Sequence, residues 1–271
     1  MGKVYIKLLL AKNWKKYIPV VLLVVIQCQL FRNNVTEYGR VMNQTYEISI
    51  GDYIVDFYKG VLPFVMGGDS EPFNIPAIWS LYFIYFFAII GYSVSQMSQR
   101  FEIQMTMRCV KRKRWWMYQN YALWLETIGY LLITYLSFYG FSICTGTKLD
   151  TFHEKTQLEY NGLDMVGFRQ EHVLINLIVI SILVMVTFAY IQYAISLKTN
   201  TMIGILASVA ILVVSVFKCH PALLSNYLML FRQKAVMLGG VQMETGIALC
   251  MTLIVLASLA ANNMLKTKDL F

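Results

Sequence analysis

Apolar residues gather into six runs separated by polar and charged stretches, at residues 17–31, 76–95, 118–143, 172–196, 201–217 and 243–261. Each run meets or approaches the roughly 20 residues that carry a helix across a hydrocarbon core about 30 Å thick. The first, YIPVVLLVVIQCQLF, is short as drawn and can lengthen by a turn at either end. Pro19 suits its start, because first-turn N–H groups have no intrahelical acceptor. The fourth, LINLIVISILVMVTFAYIQYAISL, holds no charge for more than 20 residues. Its β-branched residues do not argue for a strand, since an open strand leaves backbone polar groups unsatisfied in lipid. The pattern predicts an all-α, polytopic membrane protein with six transmembrane helices, forming a single transmembrane domain over residues 1–271.

Two segments outside the runs are also patterned. Residues 1–16, MGKVYIKLLLAKNWKK, interleave five lysines with Val4, Ile6, Leu8, Leu9, Leu10 and Trp14. This predicts an interfacial helix whose lysines reach the headgroups while its apolar residues dip inward. A signal peptide has the same basic start, but no small-x-small cleavage pattern comes after it, so the segment is expected to be retained. Residues 218–240 lie between the fifth and sixth runs and are notably apolar for a loop. An interfacial or re-entrant element explains that, its non-spanning turns sheltered by protein.

Charge then sets orientation. Residues 96–117 hold Arg100, Arg108, Lys111, Arg112, Lys113 and Arg114 against the single acid Glu102, and residues 1–16 hold no acid at all. By the positive-inside rule both segments are cytoplasmic, and six spans place both termini there. Residues 32–75 carry three basic and six acidic residues, as an outer loop allows, while residues 218–242 carry Lys218, Arg232 and Lys234 with no acid and disagree.

Composition narrows the class further. The 271 residues are 58% hydrophobic and 14% charged, with a mean hydropathy of +0.55. A soluble domain carries about a quarter charged residues. The net charge of +8 would also suit a nucleic-acid binder. That role needs a polar scaffold. Here most basic residues flank apolar runs, so no nucleic-acid partner is expected.

The densest charge lies in RCVKRKRWW, five cations within residues 108–114 followed by Trp115 and Trp116. Residues 97–114 read as a short amphipathic helix, with the indole rings at the membrane interface. Trp14, Trp115 and Trp116 are interface anchors on this reading. The plain alternative is anchoring alone; the functional one is a rigid cytoplasmic helix that docks on a partner and transmits its displacement. Glu126 lies about two turns inside the third run. An ionisable residue there is a candidate for lining a substrate path or making an interhelix bond, whereas Glu244, opening the sixth run, reads as an interface residue. The three histidines, His153, His172 and His220, show no metal-ligand spacing. Five separated cysteines suggest neither a metal site nor a disulfide framework. HExxH, GxSxG and the GxxxxGK[ST] phosphate loop are all absent. The NQT at 43–45 reads as a polar turn.

The segments KVYIKLLLAKNWKKYIP, PFNIPAIWSLYFIYFFAIIGY, MTMRCVKRKRWWMYQNYALW and HPALLSNYLMLFRQK, set among six spans, together resemble ABC-2 type (type V exporter-like) ABC transporter permease subunits of Gram-positive bacteria, in particular divergent permeases of antimicrobial-peptide export or immunity systems. Arg108, Arg112, Trp115 and Trp116 are similar to that family's R-x-x-x-R/K-x-x-W-W element. The resemblance implies a bacterial plasma-membrane protein with an elbow helix at 1–16, a coupling helix at 97–114 seated in an ATPase subunit, and outer re-entrant helices within 218–240. It implies that Arg108, Arg112, Lys113 and Arg114 contact an ABC ATPase present in two copies, beside a second permease, identical or related. No cofactor is bound by this chain on that reading; ATP and Mg belong to the ATPase. The cargo would be a peptide or an amphipathic, lipid-like molecule. The family's usual signatures are eroded here, and the first outer loop, Arg32 to Ile75, is long. Two rivals stand beside this reading. One is a non-transporting sensor or accessory protein whose basic helix binds anionic lipid. The other is an intramembrane enzyme, for which His172 and Glu126 are the available groups without a motif joining them.

Overall fold

The computed structural model describes residues 14–64, 75–96, 112–165 and 169–267, and every regular element among them is helical. Trp14–Tyr17 is a 3-10 turn that runs directly into α1 (Ile18–Met42), with Pro19 in the first turn as expected. The rest of the expected elbow helix, residues 1–13, lies outside the described residues. Beyond residue 31, where the apolar run stops, α1 continues to Met42. The cause is a buried stripe, Val20, Val24, Cys28, Phe31, Val35 and Gly39, whose spacing keeps one face against the protein after the other faces turn polar. The helix stops at Asn43, which adopts a left-handed conformation with φ of 53° and caps the last carbonyls. The loop expected from Arg32 is therefore helical as far as Met42, and the nine-residue α2 (Ile50–Tyr58) lies in its remainder.

The chain then alternates direction through α3 (Ala77–Gln96), α4 (Arg112–Thr145), α6 (Gln170–Lys198), α7 (Thr201–Phe217) and α8 (Met243–Thr267), with the short α5 (Glu154–Glu159) between α4 and α6. Two ends result. The basic end holds the starts of α1 and α4, and the far end holds α2, α5 and residues 218–242. Among the described residues five helices, α1, α3, α4, α6 and α8, are long and apolar enough to cross a membrane. They mark the chain as a membrane protein. Between α6 and α8, α7 is apolar throughout but has 17 residues, about 25 Å of rise.

At the centre stands α6, which packs on α3, α4, α7 and α8. In lipid there is little hydrophobic drive between helices, so close approach and interhelical hydrogen bonds hold them. Gln192 of α6 is fully buried and donates to Phe87 O of α3 at 2.8 Å. Tyr130 Oη of α4 donates to Tyr82 O of α3 at 2.7 Å, while Tyr82 Oη lies 2.8 Å from Thr134 Oγ1. The turn into α7 is closed by Asn200, whose side chain accepts from Ile203 N at 2.8 Å. One turn on, a Cβ at Gly204 would collide with Ser196 Oγ and the main-chain oxygen of Gln192. Gly204→Leu is accordingly expected to lose about 3 kcal/mol through overpacking. The buried thiols of Cys28 and Cys250 allow a thiol-reactive dye to follow its melting in detergent.

Residues 218–240, expected to be re-entrant, contain two 3-10 turns, Leu224–Leu228 and Leu230–Arg232, and no α-helix. Residues 224–230 are nevertheless buried, folded in against α6, α7 and α8. Non-helical backbone at such depth needs side-chain partners. Asn226 supplies them by donating to the carbonyls of Lys218 and His220, both at 3.0 Å, and Tyr227 Oη donates to Pro221 O at 2.6 Å.

Candidate functional site

Three polar clusters interrupt the apolar body, one at the basic end and two at the far end. At the basic end Glu126 projects from α4 into the angle between α1 and α3. Lys16 Nζ lies 2.6 Å from each carboxylate oxygen, Tyr17 Oη donates at 2.9 Å, and Ser93 Oγ of α3 stands 3.3 Å away. Tyr85 Oη of α3 donates to the Lys16 carbonyl at 2.6 Å, holding the turn that presents the lysine. The two charged side chains are only 12% and 5% exposed, so their attraction acts with little screening. Of the two roles open to Glu126, the structure displays the interhelix bond. Lys16, expected to reach the headgroups with the other lysines, instead turns inward, because the only acid on that stretch of α4 faces it.

At the far end, Asp52 is fully buried. Ser49 opens α2 with a capping box, and the Asp52 carboxylate that closes it also receives groups from the α4–α5 connection. Its donors are Ser49 N at 2.9 Å, His153 N at 2.9 Å, His153 Nδ1 at 2.8 Å and Gln157 Nε2 at 2.8 Å, with Ser49 Oγ also 2.9 Å away. Both oxygens of this buried carboxylate are thus supplied with hydrogen-bond partners. The chain of contacts continues: Asn161 donates to Gln157, Lys59 donates to Asn161 and pairs with Asp56 at 2.7 Å, and Gln27 of α1 donates to Asp56 at 2.7 Å. Outward from His153, Glu47 pairs with Lys148 at 2.6 Å. That lysine's hydrogen bond holds the Glu47 carboxyl below its ordinary value. The network joins α1, α2 and α5 into one cap over the end of α4.

The third cluster is built on Arg232, fully buried and paired with no carboxylate among the described residues. Its guanidinium donates to the carbonyls of Ser215, Val216 and Lys218 at the end of α7, to Asn226 Oδ1 and, through Nε, to Val61 O at 2.8 Å. The last carbonyls of a helix lack intrahelical donors and carry the negative end of its dipole. Arg232 supplies both the donors and the charge. Burial lowers the guanidinium to about 10, so it stays cationic at neutral pH. The positive loop that disagreed with the positive-inside count thus spends one of its three cations inside the protein.

Of the other sequence candidates, Arg108 and residues 97–111 lie outside the described residues. Arg112, Lys113, Arg114, Trp115 and Trp116 lie in the opening turns of α4, continuous with the third apolar run and not on a separate helix. Trp14 is 61% exposed. Glu244 is exposed in the first turn of α8. His172 opens α6 at the far end while Glu126 is at the basic end, so the fold does not bring these two together. No group of three or more His, Cys, Asp or Glu side chains converges on a common point among the described residues.

Sequence reasoning missed Asp52, His153, Lys16 and Arg232 as structural centres. Only Asp52 carried a local signal, the Ser49-x-x-Asp52 capping pattern before the apolar run of α2. The partners of the other three are 6 to 171 residues away along the chain. Compared with family models, curated proteins and solved structures, the chain matches none.

Proposed function

We propose that this chain is the membrane-spanning permease subunit of an ATP-driven transporter of the ABC-2 kind. On this reading it crosses the bacterial plasma membrane six times, with the basic end and both termini in the cytoplasm. α7 serves as the short fifth span, and residues 218–240 fold into the outer surface. The observation that carries the reading is the continuity of α4, which runs from Arg112 to Thr145 without interruption, about 50 Å. One rod carries the basic cluster at its start, the Glu126 tie to α1 and α3 along its length, and the Asp52 cap at its end. A displacement applied to Arg112–Arg114 by a partner reaches the far end because the packed helix cannot absorb it.

No phosphate-binding loop is present in the sequence, so two ATPase subunits using ATP and Mg supply the work. A second permease completes the path, and the cargo is a peptide or an amphipathic, lipid-like molecule. Arg108, Arg112, Lys113 and Arg114 form the docking surface, and residues 1–16 lie as an elbow along the inner leaflet.

Co-purification with the ATPase tests the docking. The charge-reversed variant R108E/R112E/R114E is expected to lose at least about tenfold in retained ATPase, with membrane insertion verified by protease protection. Retention equal to that of the native chain sinks the assignment. Loss of binding to anionic vesicles, in a chain that never retained an ATPase, would favour the accessory lipid-binding reading.

A further inference from the structure

Between the far ends of α6 and α8 the fold leaves a cavity of about 420 Å³. That is within the roughly 300–1,000 Å³ of small-molecule sites. Its floor is apolar, built by Met165, Leu230 and Val236, and five polar side chains also line it, Asn176 of α6, Gln233, Lys234, Gln242 and Glu244 of α8, of which Lys234 and Glu244 carry the charge. Lys234 and Glu244 are exposed, and neither has an ion-pair or side-chain hydrogen-bond partner among the described residues, nor do they meet each other. An apolar floor under one unmatched cation and one unmatched anion is complementary to a molecule that has a tail and both charges.

We propose that this cavity binds one glycerophospholipid whose head carries a phosphate and a primary ammonium, as in phosphatidylethanolamine. The proposal needs only that α6 and α8 cross a bilayer. Their opening turns wall the cavity. The first turns of a spanning helix lie at headgroup depth, where a lipid's polar head and upper acyl chain are placed to enter. The phosphate sits against Lys234, the ammonium against Glu244 and the Asn176 amide oxygen, and the upper part of an acyl chain covers the floor. A purely anionic head would meet Glu244 unfavourably. A choline head neutralises Glu244 but has no N–H to donate, whereas a primary ammonium offers three donors. The site is therefore selective by hydrogen bonding and charge at the rim and indifferent to chain identity on the floor.

The test uses the full chain, washed free of lipid in detergent and then exposed to mixed micelles of phosphatidylethanolamine, phosphatidylcholine or phosphatidylglycerol, with retained lipid counted per chain. About one phosphatidylethanolamine is expected per chain, held about tenfold tighter than the other two. Glu244→Gln is expected to abolish the preference over phosphatidylcholine, and Lys234→Glu to abolish retention of all three. Ala235→Trp, which fills the cavity and leaves both charges in place, should lower retention of every lipid. These three positions are exposed, and an unchanged dye-monitored melting curve confirms that each variant is folded. Equal retention of the three lipids by the native chain overturns the proposal, as does a preference that survives Glu244→Gln. Water-soluble glycerophosphoethanolamine competing as well as the intact lipid would show that the floor contributes nothing and would overturn it too. Displacement of phosphatidylethanolamine by a basic amphipathic peptide at equal concentration would instead assign the cavity to peptide.

Discussion

Arg232→Met is expected to destabilise the protein by about 3–5 kcal/mol. Two effects oppose each other. The variant removes a buried cation that has no anionic partner among the described residues, which relieves a desolvation cost of several kcal/mol. It also takes a donor from five acceptors, of which four, the carbonyls of Ser215, Val216 and Val61 and the Asn226 amide oxygen, are left bare, while Lys218 O keeps its bond from Asn226. Each buried acceptor left bare costs about 1–3 kcal/mol, so the loss exceeds the relief. Moreover the three α7 carbonyls lose the charge that answers the helix dipole. Arg232→Lys should recover only part of the loss, because an ammonium has three donors where the guanidinium has five in a fixed fork. Dye-monitored melting in detergent decides it, reading the buried Cys28 and Cys250. A Met variant that melts with the native chain would mean that water, not Arg232, satisfies the end of α7.

This cluster also shows where sequence reading stops. The spans were legible because lipid imposes a one-dimensional rule, a long apolar run, and the helices found over 77–96, 170–198 and 243–267 track the runs closely. The end of α1 was not legible, because Val35 and Gly39 continue the buried stripe under a polar sequence, and only Asn43 breaks it. Arg232 was visible as a charge on the wrong side of a count, yet its answer lies in carbonyls, which have no letter in the sequence. The same holds for Lys16. Five lysines at spaced positions invite one common role, and which of them turns inward is set by an acid 110 residues away. Lys234 and Glu244, ten residues apart, resembled ordinary interface charges until a cavity appeared between them.

At the basic end, Glu126→Ala is expected to lose about 3–5 kcal/mol, since it leaves the Lys16 ammonium buried with no counter-charge. The aromatic face of Tyr17, 5.1 Å from Nζ, is a partial substitute. Such a contact is worth about 2 kcal/mol when desolvated and cannot make up the difference. Lys16→Met should cost a comparable amount by stranding the carboxylate, to which Tyr17 and Ser93 still point. The double variant K16M/E126M is the informative one. It removes both charges together and replaces them with flexible apolar chains, so it should melt closer to the native protein than either single variant does. Singles whose costs simply add in the double would show that Lys16 and Glu126 are not coupled. Because this pair fastens α4 to α1 and α3 just beyond the basic cluster, uncoupling it also separates two roles that the fold superposes. If α4 transmits a partner's displacement, K16M/E126M should keep its ATPase while transport falls, because the docking charges are intact and the tie nearest to them is gone, the Tyr82–Tyr130 and Tyr82–Thr134 bonds farther along the rod remaining.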